Sequence, residues 1–142
     1  MESLDISRIP AGGLLLLDSA PLIYLLEGRA GFAERYQSLL EAQAAGRVRF
    51  AVSAITVIEV LAGPLQKRQE ALAARYQRLL ESWQVVALDA DVAASAARIR
   101  VSEGLKLPDA VQVASAIAAG AHALVTHDRD FTRIKAIRVL TA

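Results

Sequence analysis

Four consecutive leucines, Leu14 to Leu17, lie between two glycines and Asp18 near the start of the chain. A short, continuously apolar run of this kind is typical of a strand that is buried on both faces of a parallel sheet. Helices must then cover both faces, so the run predicts an α/β fold. The segments "RFAVSA", "WQVVALD", "HALVTHD" and "IRVLTA" predict further strands.

Helical patterns separate these strands. In the last of them, Ala110, Val113, Ala114 and Ile117 follow the spacing of one apolar helix face. Repeated alternation of strand and helix predicts a central parallel sheet of four to five strands with helices on both faces. The predicted helices cover residues 30–45, 54–62, 66–82, 91–103 and 109–119.

The 142 residues fit one domain, which we expect over residues 13–142 after a short N-terminal extension, residues 1–12. The hydrophobic fraction of 54% and the charged fraction of 22% favour a compact globular chain. The absence of cysteine excludes disulfides and thiolate metal sites. Because the leucine run is too short to span a bilayer and no basic segment precedes it, we expect a soluble, cytoplasmic protein without a membrane partner.

Four acidic residues fall where ligands bind in such folds, beyond the carboxyl ends of the strands. Asp18 ends the first strand, Asp128 follows the fourth, and Asp109 begins the helix that leads into that fourth strand. Glu59 lies among aliphatic residues on a predicted helix, where an ionised carboxylate is costly unless a cation compensates it. Taken singly, each aspartate could instead cap a helix, complement a helix dipole or belong to a turn. Together, the four acids map to one rim of the sheet.

Carboxylates crowded at one rim repel each other, and a bound divalent cation would relieve that repulsion. Oxygen donors alone, without cysteine or a histidine pair at ligand spacing, favour Mg²⁺ or Mn²⁺ over zinc. His122 and His127 are therefore expected to be structural or exposed. The chain's aromatic residues, among them Tyr24 and Tyr36, are expected in core or dimer packing.

Three segments in this order resemble PIN-domain ribonucleases, most closely VapC-type toxins: "LLLLDSAPLIYLLEG", "SAITVIEVLAGP" and "KLPDAVQVASAIAAGAHALVTHDRDF". The resemblance implies four catalytic, metal-holding acids, and the positions that match them are Asp18, Glu59, Asp109 and Asp128. It also implies that Asp130 assists the metal site and that Ser19 and Thr126 place hydroxyls beside the first and last acids. Many relatives carry Asn two residues after the first acid, where this chain has Ala20.

The resemblance implies a Mg²⁺-dependent endoribonuclease that is the toxin of a toxin–antitoxin pair, with RNA as substrate, an antitoxin as partner and a homodimeric state. A metal-bound water would attack the phosphodiester, with Asp128 or Asp130 accepting its proton. Since carboxylates alone would repel RNA, arginines must line the approach. Arginine supplies most of the sixteen basic residues, and the candidates are Arg29, Arg47, Arg49, Arg129 and Arg133.

Two alternatives remain at this point. A haloacid-dehalogenase-type phosphatase also places Asp after an apolar strand, but it needs a second Asp where this chain has Ala20. A catalytically silent PIN-fold module that binds RNA or protein is the other alternative. The presence of all four acids favours the nuclease.

Overall fold

The structure is a computed structural model that describes residues 4–141. Within this range the chain forms one sheet of five strands, all parallel, as predicted. The strands are β1 (Gly13–Leu17), β2 (Val48–Ser53), β3 (Gln84–Val86), β4 (Ala123–Val125) and β5 (Val139–Leu140). Their order across the sheet is β3-β2-β1-β4-β5, so the leucine strand lies at the centre.

The described residues form six α-helices. They are α1 (Ser19–Glu27), α2 (Ala33–Ala44), α3 (Ala54–Gln66), α4 (Glu70–Glu81), α5 (Ala90–Glu103) and α6 (Leu107–Ala118). Five of them match predicted helices with shifted ends, and a short 3₁₀ helix spans Arg129–Arg133. The boundary between α3 and α4 lies later than expected because α3 continues through Pro64, and Arg68 then adopts a left-handed conformation with φ 57°.

The central strand explains the leucine run, because successive side chains of a strand point to opposite faces of the sheet. Leu14 and Leu16 pack into a core that includes residues of α5 and α6. Leu15 and Leu17 pack into the core on the other face, with residues of α1, α2 and α3. Both faces are therefore covered by helices, as the sequence predicts.

The residues before β1 pack against the rest of the chain. Leu4 and Ile9 are buried in the same core as Leu15. The guanidinium of Arg47 donates hydrogen bonds to the carbonyl oxygens of Ile6, Ile9 and Pro10, and so fixes this segment to the start of β2. No helix in the described part of the chain is long and apolar enough to cross a membrane.

Candidate active site

Asp18 lies directly after β1 and caps the N-terminus of α1. Its Oδ1 atom accepts hydrogen bonds from the Ser19 backbone amide at 2.9 Å and from Gln112 Nε2 at 3.1 Å. Its Oδ2 atom accepts from the Thr126 hydroxyl at 2.8 Å. Burial raises the pKa of the Asp18 carboxyl even though these donors act to lower it, and the charge of Asp128 raises it further. The capping and functional interpretations of Asp18 are thus compatible.

Several buried polar side chains support Asp18 through a network of hydrogen bonds. Gln112 Nε2 donates to Thr56 Oγ1 at 2.8 Å as well as to Asp18, and the hydroxyls of Ser19 and Thr56 lie 3.1 Å apart. The Ser53 side chain caps α3 by accepting from the Thr56 amide. These side chains are almost fully buried, and their hydrogen bonds tie β1, α3 and α6 together at one point.

Gln112 is the residue that reasoning from the sequence missed. It is 1% exposed, and its Oε1 atom has no hydrogen-bond partner among the described residues. A sequence signal did exist, because Gln112 is a lone amide between the apolar neighbours Val111 and Val113 on the buried face of a helix. Buried polar side chains need partners, so such a glutamine points to a polar site nearby.

The other two acids on helices share the electrostatic environment of Asp18. Asp109 lies in the first turn of α6, and its pKa is raised by burial and then by the charges of Asp18 and Asp128, while Lys106 lowers it. The pKa of Glu59 is raised by partial desolvation and by the charge of Asp18. Glu59 is exposed, so its aliphatic neighbours do not enclose it as the sequence suggests.

The segment after β4 carries the remaining predicted residues. Thr126 is fully buried, and its hydroxyl accepts a hydrogen bond from the Asp128 amide at 3.1 Å while donating to Asp18. Asp128 Oδ1 accepts from the Asp130 amide at 2.9 Å and caps the 3₁₀ helix. Asp128 and Asp130 are both exposed. The hydroxyl positions named from the sequence therefore do contact the carboxylate network.

Comparison with protein families gives one match, the PIN domain, over residues 15–137. The chain belongs to the PIN domain family. No curated protein sequence matches the chain significantly. The family assignment confirms the resemblance drawn from the three sequence segments.

Solved structures similar to this PIN domain include several from toxin–antitoxin systems. A toxin–antitoxin complex from Klebsiella pneumoniae is 28% identical, with 87% of this chain and 94% of that chain covered and a TM-score of 0.69. VapBC2 from Rickettsia felis, bound to a DNA fragment from its promoter, is 20% identical, with 89% and 96% covered and a TM-score of 0.70. The Mycobacterium tuberculosis toxin VapC20, named as cleaving the sarcin–ricin loop, is 17% identical, with 87% and 98% covered and a TM-score of 0.65. The chain is thus similar to VapC-type toxins over most of its length.

The donor set of this PIN domain fits a hard divalent cation in its chemistry. Its members are carboxylates and hydroxyls, and the pKa values of three acids are raised in part by each other's charges or by that of Asp128. As placed, no three Asp, Glu or His side chains within residues 4–141 are grouped closely enough to hold a metal ion.

The structure does not bring all five candidate arginines to the acids. Arg47 and Arg49 lie at the start of β2, at the opposite end of the sheet from Asp18, and both bind backbone carbonyls of the N-terminal segment. Arg133 donates a hydrogen bond to the backbone carbonyl of Glu103. Arg129 directly follows Asp128 in the chain and is exposed. Arg29 is exposed and pairs with Glu27 at 2.8 Å.

Proposed function

We propose that this PIN domain is a metal-dependent endoribonuclease and the toxin of a toxin–antitoxin pair. The observation that carries the proposal is that, in a chain of the PIN family, Asp18 and Asp128 follow β1 and β4 while Glu59 on α3 and Asp109 on α6 lie within electrostatic range of Asp18. Its similarity to a VapC-type toxin named for cleaving the sarcin–ricin loop supports RNA as the substrate class.

The cation-binding acids in this proposal are Asp18, Glu59, Asp109 and Asp128. A bound Mg²⁺ or Mn²⁺ would polarise the phosphodiester and lower the pKa of an attacking water. Asp18 is held in one orientation by Gln112 and Thr126, which leaves little side-chain freedom to be lost on binding. Asp128 belongs with the metal-binding acids because it follows β4 as Asp18 follows β1, and the Thr126 hydroxyl links the Asp128 amide to the Asp18 carboxylate. Asp130 is exposed beside it, and Asp128 and Asp130 are the two candidates to accept the proton from the attacking water.

The test is cleavage of structured RNA by the purified protein with Mg²⁺, with Mn²⁺ and with EDTA. We expect cleavage with either metal and none with EDTA. Asp18→Asn should lower the rate by a factor on the order of 100 or more, since several kcal/mol of metal-dependent stabilisation are lost. The matched control is Asp91→Asn, an exposed aspartate in the first turn of α5, which should cleave as the wild type does.

Cleavage that continues unchanged in EDTA would exclude the metal mechanism. RNA binding without cleavage, under every metal condition, would instead favour the silent PIN-fold module.

A groove of mixed polarity between α1, α3 and α4 supports a protein partner. It has a volume of about 510 Å³, and its lining combines apolar side chains, Leu26, Pro64, Leu72 and Tyr76, with polar and charged ones, Glu27, Gln66, Lys67 and Gln69. A smaller adjoining cavity reaches Glu59 along the same helices. We propose that an amphipathic antitoxin segment lies in this groove and places a cation at Glu59, which would compete with the metal.

Genetic context and one variant test this part of the proposal. A small reading frame beside this gene should encode a protein that co-purifies with the chain and blocks cleavage. Leu72→Glu should weaken that complex without reducing cleavage, because Leu72 lines the groove and lies outside the acid cluster. A complex that is as tight with Leu72→Glu as with the wild type would remove the groove from the antitoxin interface.

A further inference from the structure

Four aromatic side chains, Tyr24, Phe32, Tyr36 and His127, form one cluster beside the acids. The ring centroids of Tyr24 and Phe32 lie 4.7 Å apart with the planes inclined by 37°. The His127 ring meets both edge-on, at 5.5 Å from Tyr24 and 5.1 Å from Phe32. His127 Nδ1 lies 3.1 Å from the Tyr36 hydroxyl, which fixes the imidazole in this cluster.

The aromatic cluster adjoins the candidate active site directly. His127 lies between Thr126, which donates to Asp18, and Asp128. Burial raises the pKa of Tyr36 to about 12, and the charges of Tyr24 and Asp18 contribute to that rise. Tyr36 is therefore a neutral, buried support within electrostatic range of the first acid, and the exposed part of the cluster lies further out.

The outer part of the cluster is exposed and faces cations. Phe32 is 36% exposed although it is a large apolar side chain. The guanidinium carbon of Arg35 lies 5.5 Å from the centre of the Phe32 ring, and that of Arg29 lies 5.2 Å from the centre of the Tyr24 ring. Two aromatic rings and two guanidinium groups, that of Arg29 paired with Glu27, thus form a partly apolar, partly charged surface next to a strongly anionic one.

We propose that Tyr24, Arg29, Phe32 and Arg35 form a stacking platform for an unpaired RNA base beside the scissile phosphodiester. This inference rests on the proposed nuclease function and names its substrate class, RNA with unstacked bases at the cleavage site. Every nucleobase has a face that stacks on aromatic rings or on guanidinium planes, while guanidinium groups also pair with phosphate. A duplex would offer no free base face to these rings.

The guanidinium groups of this platform also supply positive charge, which RNA requires near the carboxylates. Two of the five arginines predicted to guide RNA, Arg47 and Arg49, lie at the far end of the sheet. Arg35, which the sequence did not single out, lies on α2 over the Phe32 ring. Together with Arg29, it provides positive charge on the same side of the molecule as His127 and Asp128.

The experiment compares cleavage of single-stranded and duplex RNA of one sequence in Mg²⁺ by the wild type and three variants. Phe32→Ala should raise KM for single-stranded RNA by about 5- to 100-fold with little change in kcat, because one stacked base is lost. Phe32→Trp should restore the wild-type KM. Leu79→Ala is the control, since Leu79 on α4 is also 36% exposed and lies outside the cluster.

A second readout reports stacking itself. A 2-aminopurine base in the single-stranded RNA should lose fluorescence on binding to the wild type and keep it with Phe32→Ala. If Phe32→Ala folds poorly by circular dichroism, Arg35→Gln takes its place. That variant changes only an outer charge, and we expect it to raise KM and to weaken the salt dependence of KM.

The outcomes separate this inference from the function on which it rests. If the wild type cleaves RNA and Phe32→Ala retains its KM and its fluorescence quenching, the platform is wrong while the nuclease stands. If the wild type neither binds nor cleaves RNA, the proposed function fails and the platform fails with it. If Phe32→Ala loses only the antitoxin complex, the aromatic cluster is a protein-binding surface and the platform is again wrong.

Discussion

At the scale of one residue, a substitution of Asp109 should affect cleavage and stability in opposite directions. Its pKa is raised by burial and by neighbouring charges, so the folded state holds this proton more tightly than the unfolded state does. The metal-free protein must then lose stability as pH rises from the ordinary carboxyl range through the raised pKa, and the full cost is present above that pKa. We predict that Asp109→Asn abolishes cleavage but melts higher than the wild type in EDTA at neutral pH. Each kcal/mol relieved is worth roughly 2–4 °C.

Added Mg²⁺ provides the control for this variant. Mg²⁺ should reduce the difference in melting temperature between Asp109→Asn and the wild type, because a cation stabilises the wild-type site preferentially. If Asp109 only complements the N-terminus of α6, the Asn variant will melt at or below the wild type with and without metal.

Gln112 allows a separate test of metal affinity. Its amide donates to Asp18 and thereby lowers the pKa of that carboxyl, so Gln112→Met should raise this pKa and favour the proton over a cation. Changes in groups that orient metal ligands typically weaken binding by about 10- to 100-fold, and we predict a loss of that size for Mn²⁺ measured by calorimetry. Gln77→Met, an exposed glutamine on α4, is the control. Equal Mn²⁺ affinity for wild type and Gln112→Met would show that the amide does not support the site.

The sequence predicted Asp18 and Thr126 more readily than it predicted Gln112, and the reason is physical. An acid at the end of a buried strand has a location that the rules of parallel sheets specify. The role of Gln112 depends on how closely α6 approaches α3 and β1, and no local pattern encodes that distance. The same limit applies to Arg47, whose partners belong to a different segment of the chain.

At the scale of elements, Arg47 joins the N-terminal segment to β2. Its planar guanidinium donates to three carbonyls, a geometry that an ammonium group does not reproduce. We predict that Arg47→Lys lowers the free energy of unfolding by about 1.5–3 kcal/mol and leaves RNA affinity unchanged. Urea denaturation measures the free energy of unfolding and RNA titration measures the affinity, with Arg75→Lys on α4 as the control. Weaker RNA binding at unchanged stability would show that Arg47 contacts RNA, as the sequence analysis expected.

The strands and helices correspond to those predicted from the sequence, except at α1 and at the start of α2. The five apolar runs correspond to five strands, of which β1 and β4 are buried at every position while β3 and β5 at the sheet edges are partly exposed. Helix α1 was not predicted because Leu22 to Leu26 are continuously apolar and show no helical periodicity. Helix α2 begins later than expected, after Gly31 with φ 83°, a conformation that no helical residue adopts.

At the scale of the whole molecule, the structure changes the basis for a homodimer. The homodimer was implied by the family resemblance alone, and on α2 and α4 Tyr36, Leu39 and Leu80 are buried within the monomer. Exposed apolar side chains occur at the connection of α5 and α6, where Val101 is 86% and Leu107 56% exposed, and also on α3, where Ile58 is 67% exposed. We propose that this connection contributes to an interface between two copies.

Light scattering checks the assembly. The wild type should show twice the chain mass of 15.2 kDa at micromolar concentration, and Val101→Glu should shift it toward the monomer. Leu65→Glu, at an exposed position on α3, should leave the mass unchanged. A monomeric wild type, or a Val101→Glu protein that stays dimeric, would contradict this interface.

The strand order also determines when, during synthesis, this site can form. Leu16 of the central strand pairs with Leu124, and Asp18 accepts its hydrogen bond from Thr126, a residue 108 positions later in the chain. At about 5–20 residues per second, Asp18 is made several seconds before the residues that complete its surroundings. A partly made chain that ends before β4 therefore lacks both the strand that pairs with β1 on one side and the hydroxyl that orients the Asp18 carboxylate.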